Sequence, residues 1–247
     1  MMKKHTYYNI LWLCLALPWF ASSCSNEIEN EPNGWLEIAK PTVYFVTETR
    51  ADVPENEIDY WVGIKKTGET EMPLFLYSSI TGSIPLSVGS YTLSAENCST
   101  DEAETQPDEY GQPRYAGSVP FKIAANEKTS VSLVCSMANA AFQVVTDSTF
   151  YYEEFKVVAT VGDRELNFTE ENKVGYFNVG ADKTAVLRYE VEARDAAGRF
   201  GYGSGELMLK ARNLSKLRLK ANAKGGMDVS ISYDDTFTPV IEDIIVQ

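Results

Sequence analysis

The sequence predicts an all-β protein built of β-sandwich or barrel domains. Period-two alternation of apolar and polar residues recurs after residue 30, whereas helix periodicity is scarce. The alternating runs are short and rich in Val, Tyr, Phe and Thr, and Gly, Asn, Asp or Pro separates them, as sandwiches require. About 220 residues remain once the N-terminal leader is set aside, enough for one large β-domain or two of about 100 residues each.

The leader comes first. Lys3, Lys4 and His5 form a basic start, Ile10 to Phe20 an apolar stretch, and Ala21-Ser22-Ser23 a small-residue segment suited to a signal-peptidase cleft. The apolar stretch is short of the ~20 residues that span a bilayer. Cys24 directly follows and resembles the acylated cysteine of a bacterial lipobox, so residues 1–23 are expected to be a lipoprotein signal peptide with lipidation at Cys24. Residues 24–33 then form an acidic tether carrying Glu27, Glu29 and Glu31. This acidic stretch behind the cysteine resembles the surface-export signal of Bacteroidetes lipoproteins. The expected location is the outer membrane, lipid-anchored and facing the exterior.

Strands follow in order. The first group is 36–39, 43–47, 60–65, 74–78, 90–95, 119–123 and 130–137. In the last of these, Val131, Leu133, Cys135 and Met137 alternate on one face, which places Cys135 in a core. The second group is 141–146, 155–161, 186–194, 206–211, 216–221 and 228–233. Residues 90–135 and 187–221 echo one another as strand, loop, strand, tight polar turn, strand, with turns at 125–128 and 212–215. The echo and the length together predict two domains, 34–138 and 139–247. Within the first lies a long acidic loop, 97–117, where Tyr110 and Tyr115 have capacity to pack or bind. The glycine cluster Gly198 to Gly205 is expected to be a flexible hairpin loop.

Composition narrows function. The single histidine, His5, is in the leader, which removes Ser-His-Asp and Cys-His systems and His-containing zinc sites from the mature chain. Cys14 leaves with the leader. Cys98 and Cys135 remain, either as one disulfide or as two buried thiols. No GxGxxG or GxxxxGK[ST] stretch offers a phosphate cradle. Carboxylates are abundant, but acid-rich loops are ordinarily solvated, and no enzyme activity or cofactor is expected. Asp234-Asp235 lacks the spacing of an EF-hand loop and is expected to be a turn, with no metal site. The formal charge of −13 becomes −15 when Lys3 and Lys4 are removed, a surface that repels nucleic acid.

The segments Gly89–Ala95, Tyr115–Phe121 and Ser130–Asn139 resemble a domain-of-unknown-function family of Bacteroidetes lipoproteins related to the fimbrillin-like proteins, the type V pilins. The resemblance runs from about Gly34 to Phe237. It implies a pair of transthyretin-like or immunoglobulin-like β-sandwiches on a lipidated stalk, with a structural role in adhesion or pilus assembly and with other surface or pilus proteins, or the chain itself, as partners. It also implies cleavage by an Arg-directed protease, for which Arg50 is the candidate; the alternative is an exposed loop arginine. Deleting a strand exposes unpaired amides that an incoming strand satisfies; Val240–Gln247 is the obvious free alternating strand, which departs from that pattern and is open to donating, folding back or hanging free. The competing function is surface glycan binding in a nutrient-uptake system. Among the aromatics, Phe200 and Tyr202 are its best exposed contacts, and Trp61 is expected in the core.

Overall fold

The computed structural model describes residues 33–43, 58–70, 73–221 and 227–234. The sites expected at Cys24 and Arg50, the tail Val240–Gln247 and Asp235 lie outside the described residues. The chain is all-β. Its first half contributes β1 (Asn33–Ile38), β2 (Thr42–Val43), β3 (Trp61–Lys66), β4 (Leu74–Leu76), β5 (Ile84–Ser87), β6 (Gly89–Glu96), β7 (Tyr115–Ile123), β8 (Lys128–Val131) and β9 (Val134–Met137), with a short α-helix, α1 (Thr100–Thr105), and a 3-10 turn at Tyr77–Ser79. The second half contributes β10 (Ala140–Thr146), β11 (Glu154–Val161), β12 (Arg164–Phe168), β13 (Val174–Phe177), β14 (Thr184–Arg194), β15 (Phe200–Lys210), β16 (Leu214–Ala221) and β17 (Met227–Asp234).

Sheets in the first half have strand orders β5-β1-β8 and β2-β9-β7-β6-β3-β4. Alternation decides which side chains lie between them: Leu36, Val62, Leu93, Phe121, Val131 and Cys135 point inward and pack into one core. The second half has orders β13-β10-β16-β17 and β12-β11-β14-β15. Phe142, Val157, Phe168, Phe177, Leu187 and Leu217 form its core. Phe142 and Phe168 meet edge to face, with centroids 5.2 Å apart.

The echo in the sequence is a repeat of topology. Order β5-β1-β8 matches β13-β10-β16, and β7-β6-β3-β4 matches β15-β14-β11-β12. The directions agree as well. β1 is antiparallel to β5 and parallel to β8, just as β10 is antiparallel to β13 and parallel to β16. The two tight turns that change sheets each carry a left-handed residue, Asn126 at φ 60° and Arg212 at φ 71°. The halves differ in their last strand: β9 pairs with β7, whereas β17 pairs with β16.

Several elements depart from expectation. The strand anticipated over 130–137 is two strands, because the ladder partner changes from β1 to β7 and β2 while Val131, Leu133, Cys135 and Met137 keep facing inward. β5, β12 and β13 were not anticipated. β5 contains Pro85, which lacks an amide hydrogen and fits only an edge strand, where β5 lies. Trp61 is 40% exposed, because its neighbour Val62 takes the inward position on β3.

The acidic loop is structured. Ser99 caps α1, accepting from the Glu102 amide at 3.2 Å while the Glu102 carboxylate accepts from the Ser99 amide at 2.8 Å. At the crossing into the second half, Asn139 is buried. Its Oδ1 accepts from the Arg114 amide at 3.1 Å, its Nδ2 donates to the Gln112 carbonyl at 2.8 Å, and its own carbonyl accepts from the Arg212 amide at 3.1 Å.

Candidate functional site

The glycine cluster expected to be a flexible loop is mostly strand. Only the connection 195–199 is loop, and Asp195 fixes it: Oδ1 accepts from the Ala197 and Arg199 amides at 3.0 and 2.9 Å, and Oδ2 accepts from Arg199 Nε at 2.7 Å. These donors, the Arg199 amide first, hold the Asp195 carboxyl below its ordinary range. Gly198 closes the turn at φ 77°. From Phe200 onward the chain pairs with β14 over its full length, from Arg194↔Phe200 to Thr184↔Lys210.

Alternation along β15 then sorts the residues. Gly201 and Gly205 face inward, where tyrosine rings occupy the space that side chains would take; a Cβ on Gly201 would lie 2.7 Å from the Tyr152 hydroxyl. Phe200 and Tyr202 consequently face outward, 52% and 68% exposed. Their rings stack with centroids 6.0 Å apart and an 18° angle between planes. Behind Tyr202 the ladder sets Glu192 and then Lys156; the next row is Ser204, Glu190 and Val158. These six line an open depression of about 690 Å³ on the outer face of the β12-β11-β14-β15 sheet.

The face offers a flat aromatic surface beside carboxylate acceptors, an ammonium donor and a hydroxyl. It is ringed by exposed ion pairs, Arg188–Glu206 at 2.8 Å and Arg194–Glu154 at 3.1 Å, which order side chains while adding little stability. That chemistry suits recognition of a polar, partly apolar surface. Among the described residues no group of three His, Cys, Asp or Glu is placed to hold a metal ion. No described helix is long and apolar enough to cross a membrane.

The other aromatics are elsewhere. Trp35 and Trp61 lie on β1 and β3 of the first half. Tyr151 stacks on buried Tyr152 at 4.7 Å. Tyr110 packs edge-on against Phe168 at 5.4 Å, and Tyr115 is largely enclosed, with burial raising its hydroxyl pKa. Cys98 and Cys135 are two buried free thiols rather than a bridge. The Cys98 thiol lies 3.7 Å from Asn97 Oδ1, and the Cys135 thiol 3.7 Å from the Ala95 carbonyl. Sequence reasoning found Phe200 and Tyr202 but missed Lys156, Glu190 and Glu192. The alternating charges of Leu187–Asp195 carried the signal for the two glutamates, since every second residue there faces solvent.

A family model described as a domain of unknown function (DUF4493) matches residues 33–247. No curated protein matches the chain. Among solved structures, the fimbrial anchor protein Mfa2 from Porphyromonas gingivalis is 12% identical at a TM-score of 0.46, over 81% of this chain and 96% of that one. A candidate cell adhesion protein from Bacteroides eggerthii is 7% identical at 0.45, over 82% and 95%. Another from Bacteroides ovatus is 13% identical at 0.44, over 85% and 99%.

Proposed function

This chain belongs to the DUF4493 family, and from that premise we propose that it is a lipid-anchored surface protein with a structural, non-enzymatic role in adhesion or pilus assembly. Cys24 is its lipidation site, residues 24–33 are the tether, and the domains 34–138 and 139–247 are what it displays. Its partners are other surface or pilus proteins. The observation that carries the reading is the outward pair Phe200 and Tyr202 on β15, an edge strand among the described residues. Large aromatic surface in water beside an unpaired strand edge is ordinarily kept only where a partner covers it.

Three experiments test this. Replacing Tyr202 by a photo-reactive phenylalanine derivative in cells should give discrete crosslinks to surface proteins, and Cys24→Ala should release the chain from the membrane. Absence of protein crosslinks, with the variant displayed normally, would count against the assembly role. Limited trypsin digestion followed by size exclusion tests Arg50: selective cleavage with a shift to oligomers supports processing and strand exchange, and a resistant monomer argues against them.

A second reading, glycan binding, is favoured by one observation, the near-parallel stack of Phe200 on Tyr202 beside Glu190, Glu192 and Lys156. Binding of surface polysaccharides that is lost in Phe200→Ala and Tyr202→Ala would support it. Two aromatics align on this face, and the remaining candidates lie elsewhere.

A further inference from the structure

The segment between β6 and β7 leaves its own sheets and lies against β12, β13 and the loops that flank them. The Tyr110 hydroxyl donates to the Asn167 carbonyl at 2.6 Å, and the Tyr110 carbonyl accepts from the Tyr176 amide at 2.8 Å. Lys173 sits 4.3 Å above the Tyr110 ring and reaches Asp108 at 3.2 Å. Glu104 accepts from the Asn178 amide at 2.8 Å, and the Asn178 side chain donates to the Thr100 carbonyl at 2.9 Å.

We propose that residues 99–113 are a strap that locks the second sandwich onto the first, with Tyr110 as its clasp. This inference stands whether or not the adhesion reading does. Four observations carry it. Among the described residues the backbone passes from one half to the other once, at Ala138–Asn139, and a single covalent joint leaves torsional freedom unless something else spans it. The apolar cluster at that crossing, buried Met137, Ala141 and Leu214 with Tyr115, Val174 and Tyr176 against it, is small beside either core. It acts as a pivot.

The strap is also folded in its own right, so it transmits position. The Ser99–Glu102 capping box starts its helix, and the Gln112 amide returns to the Ala103 carbonyl at 2.9 Å. Gly111 makes that return possible: it has φ +78°, and a Cβ there would lie 2.3 Å from the Ala103 oxygen.

The second half holds a receptor for it. The Arg164 side chain is only 16% exposed and packs over the Phe177 ring at 5.6 Å. Among the described residues, its hydrogen-bond acceptor, the Glu109 carbonyl at 2.7 Å, and its ion-pair partner, Glu104 at 3.9 Å, both belong to the strap. A half-sunken cation with no such partners would be costly, so the second sandwich is adapted to the strap's presence.

The test is differential scanning calorimetry and amide exchange on the full chain in detergent, wild type against Tyr110→Ala. The wild type is expected to unfold its two sandwiches in one transition. In the variant the transition splits, and the Tyr176 and Asn178 amides exchange about tenfold faster or more, while β14–β15 amides keep their protection. Two independent transitions in the wild type, or unchanged exchange at Tyr176 and Asn178 in the variant, would overturn the proposal. If Tyr110→Ala fails to fold, Tyr110→Phe combined with Glu104→Ala removes the hydroxyl bond to the Asn167 carbonyl and the carboxylate bond to the Asn178 amide, and is judged by the same readouts.

Discussion

Tyr189 and Gly205 are cross-strand partners on the inner face of the β14–β15 ladder, and the tyrosine occupies the space a side chain on the glycine would need. A Cβ on Gly205 would stand 2.5 Å from the Tyr189 hydroxyl and 2.8 Å from its Cζ. The glycine supplies room, and the aromatic ring supplies the apolar surface the glycine lacks.

Gly205→Ala is therefore expected to destabilise the protein by about 1–3 kcal/mol, the usual range for overpacking a filled core. Combining it with Tyr189→Phe removes the nearest atom and should recover part of the loss. Thermal unfolding of the single and double variants measures both effects. A neutral Gly205→Ala would show that the ring shifts freely.

Asp195 makes the β14–β15 connection sensitive to acid. Its folded-state pKa lies below the ordinary 3.8 because the Arg199 amide, then the Arg199 side chain and the Ala197 amide, favour the carboxylate. A depressed pKa contributes stability that is fully present above the unfolded value and lost as pH falls through the folded one. Between about pH 5 and pH 2, the melting temperature of the wild type should fall more than that of Asp195→Asn. Parallel pH profiles would contradict this.

Burial pushes the Cys98 thiol up to about 11 and the Cys135 thiol up to about 12. Since the thiolate is the reactive form, both should resist alkylation near pH 8 in the folded protein and react once it is denatured. Peptide mass spectrometry after iodoacetamide treatment reads each cysteine separately. A native chain already oxidised between the two would refute the free-thiol state.

Asn139→Ala strands the Arg114 amide and the Gln112 carbonyl, two groups at the crossing between the halves. Leaving a buried polar group without a partner costs about 1–3 kcal/mol each, so denaturant unfolding should register a loss of at least about 2 kcal/mol. Asn139→Asp should be worse at neutral pH, because its second oxygen would face the Gln112 carbonyl, and should improve on acidification.

How much of this was legible depended on the kind of signal. Strands with one buried face, such as β6 with Tyr91, Leu93 and Ala95 inward, announce themselves by alternation. The first half of β15 did not, because Gly201, Gly203 and Gly205 provide no apolar side chains; their period-two spacing, alternating with Phe200, Tyr202 and Ser204, was the available clue. β12 and β13 are only five and four residues long, too short for periodicity to stand out. The strap was hidden for a different reason. Its anchors, Arg164, Asn167, Lys173 and Asn178, lie more than fifty residues further along the chain, and hydrogen bonds to backbone carbonyls leave no pattern in composition. The paired cores were visible, but their fastening was not.

The parallel pairing of each sandwich's first strand with its penultimate one carries a kinetic consequence. β1 meets β8 across about ninety residues, and β10 meets β16 across about seventy, so loop closure precedes most of the reward and folding should be slow for the chain's size. During synthesis, as a chain emerges from its N-terminal side, the first sandwich would have all its strands before the second had begun to close. In that interval Glu104, Asp108 and Tyr110 would wait in solvent for a surface not yet made. Joining the halves is then the last event of folding, and the stage at which a newly made molecule is most exposed to proteases.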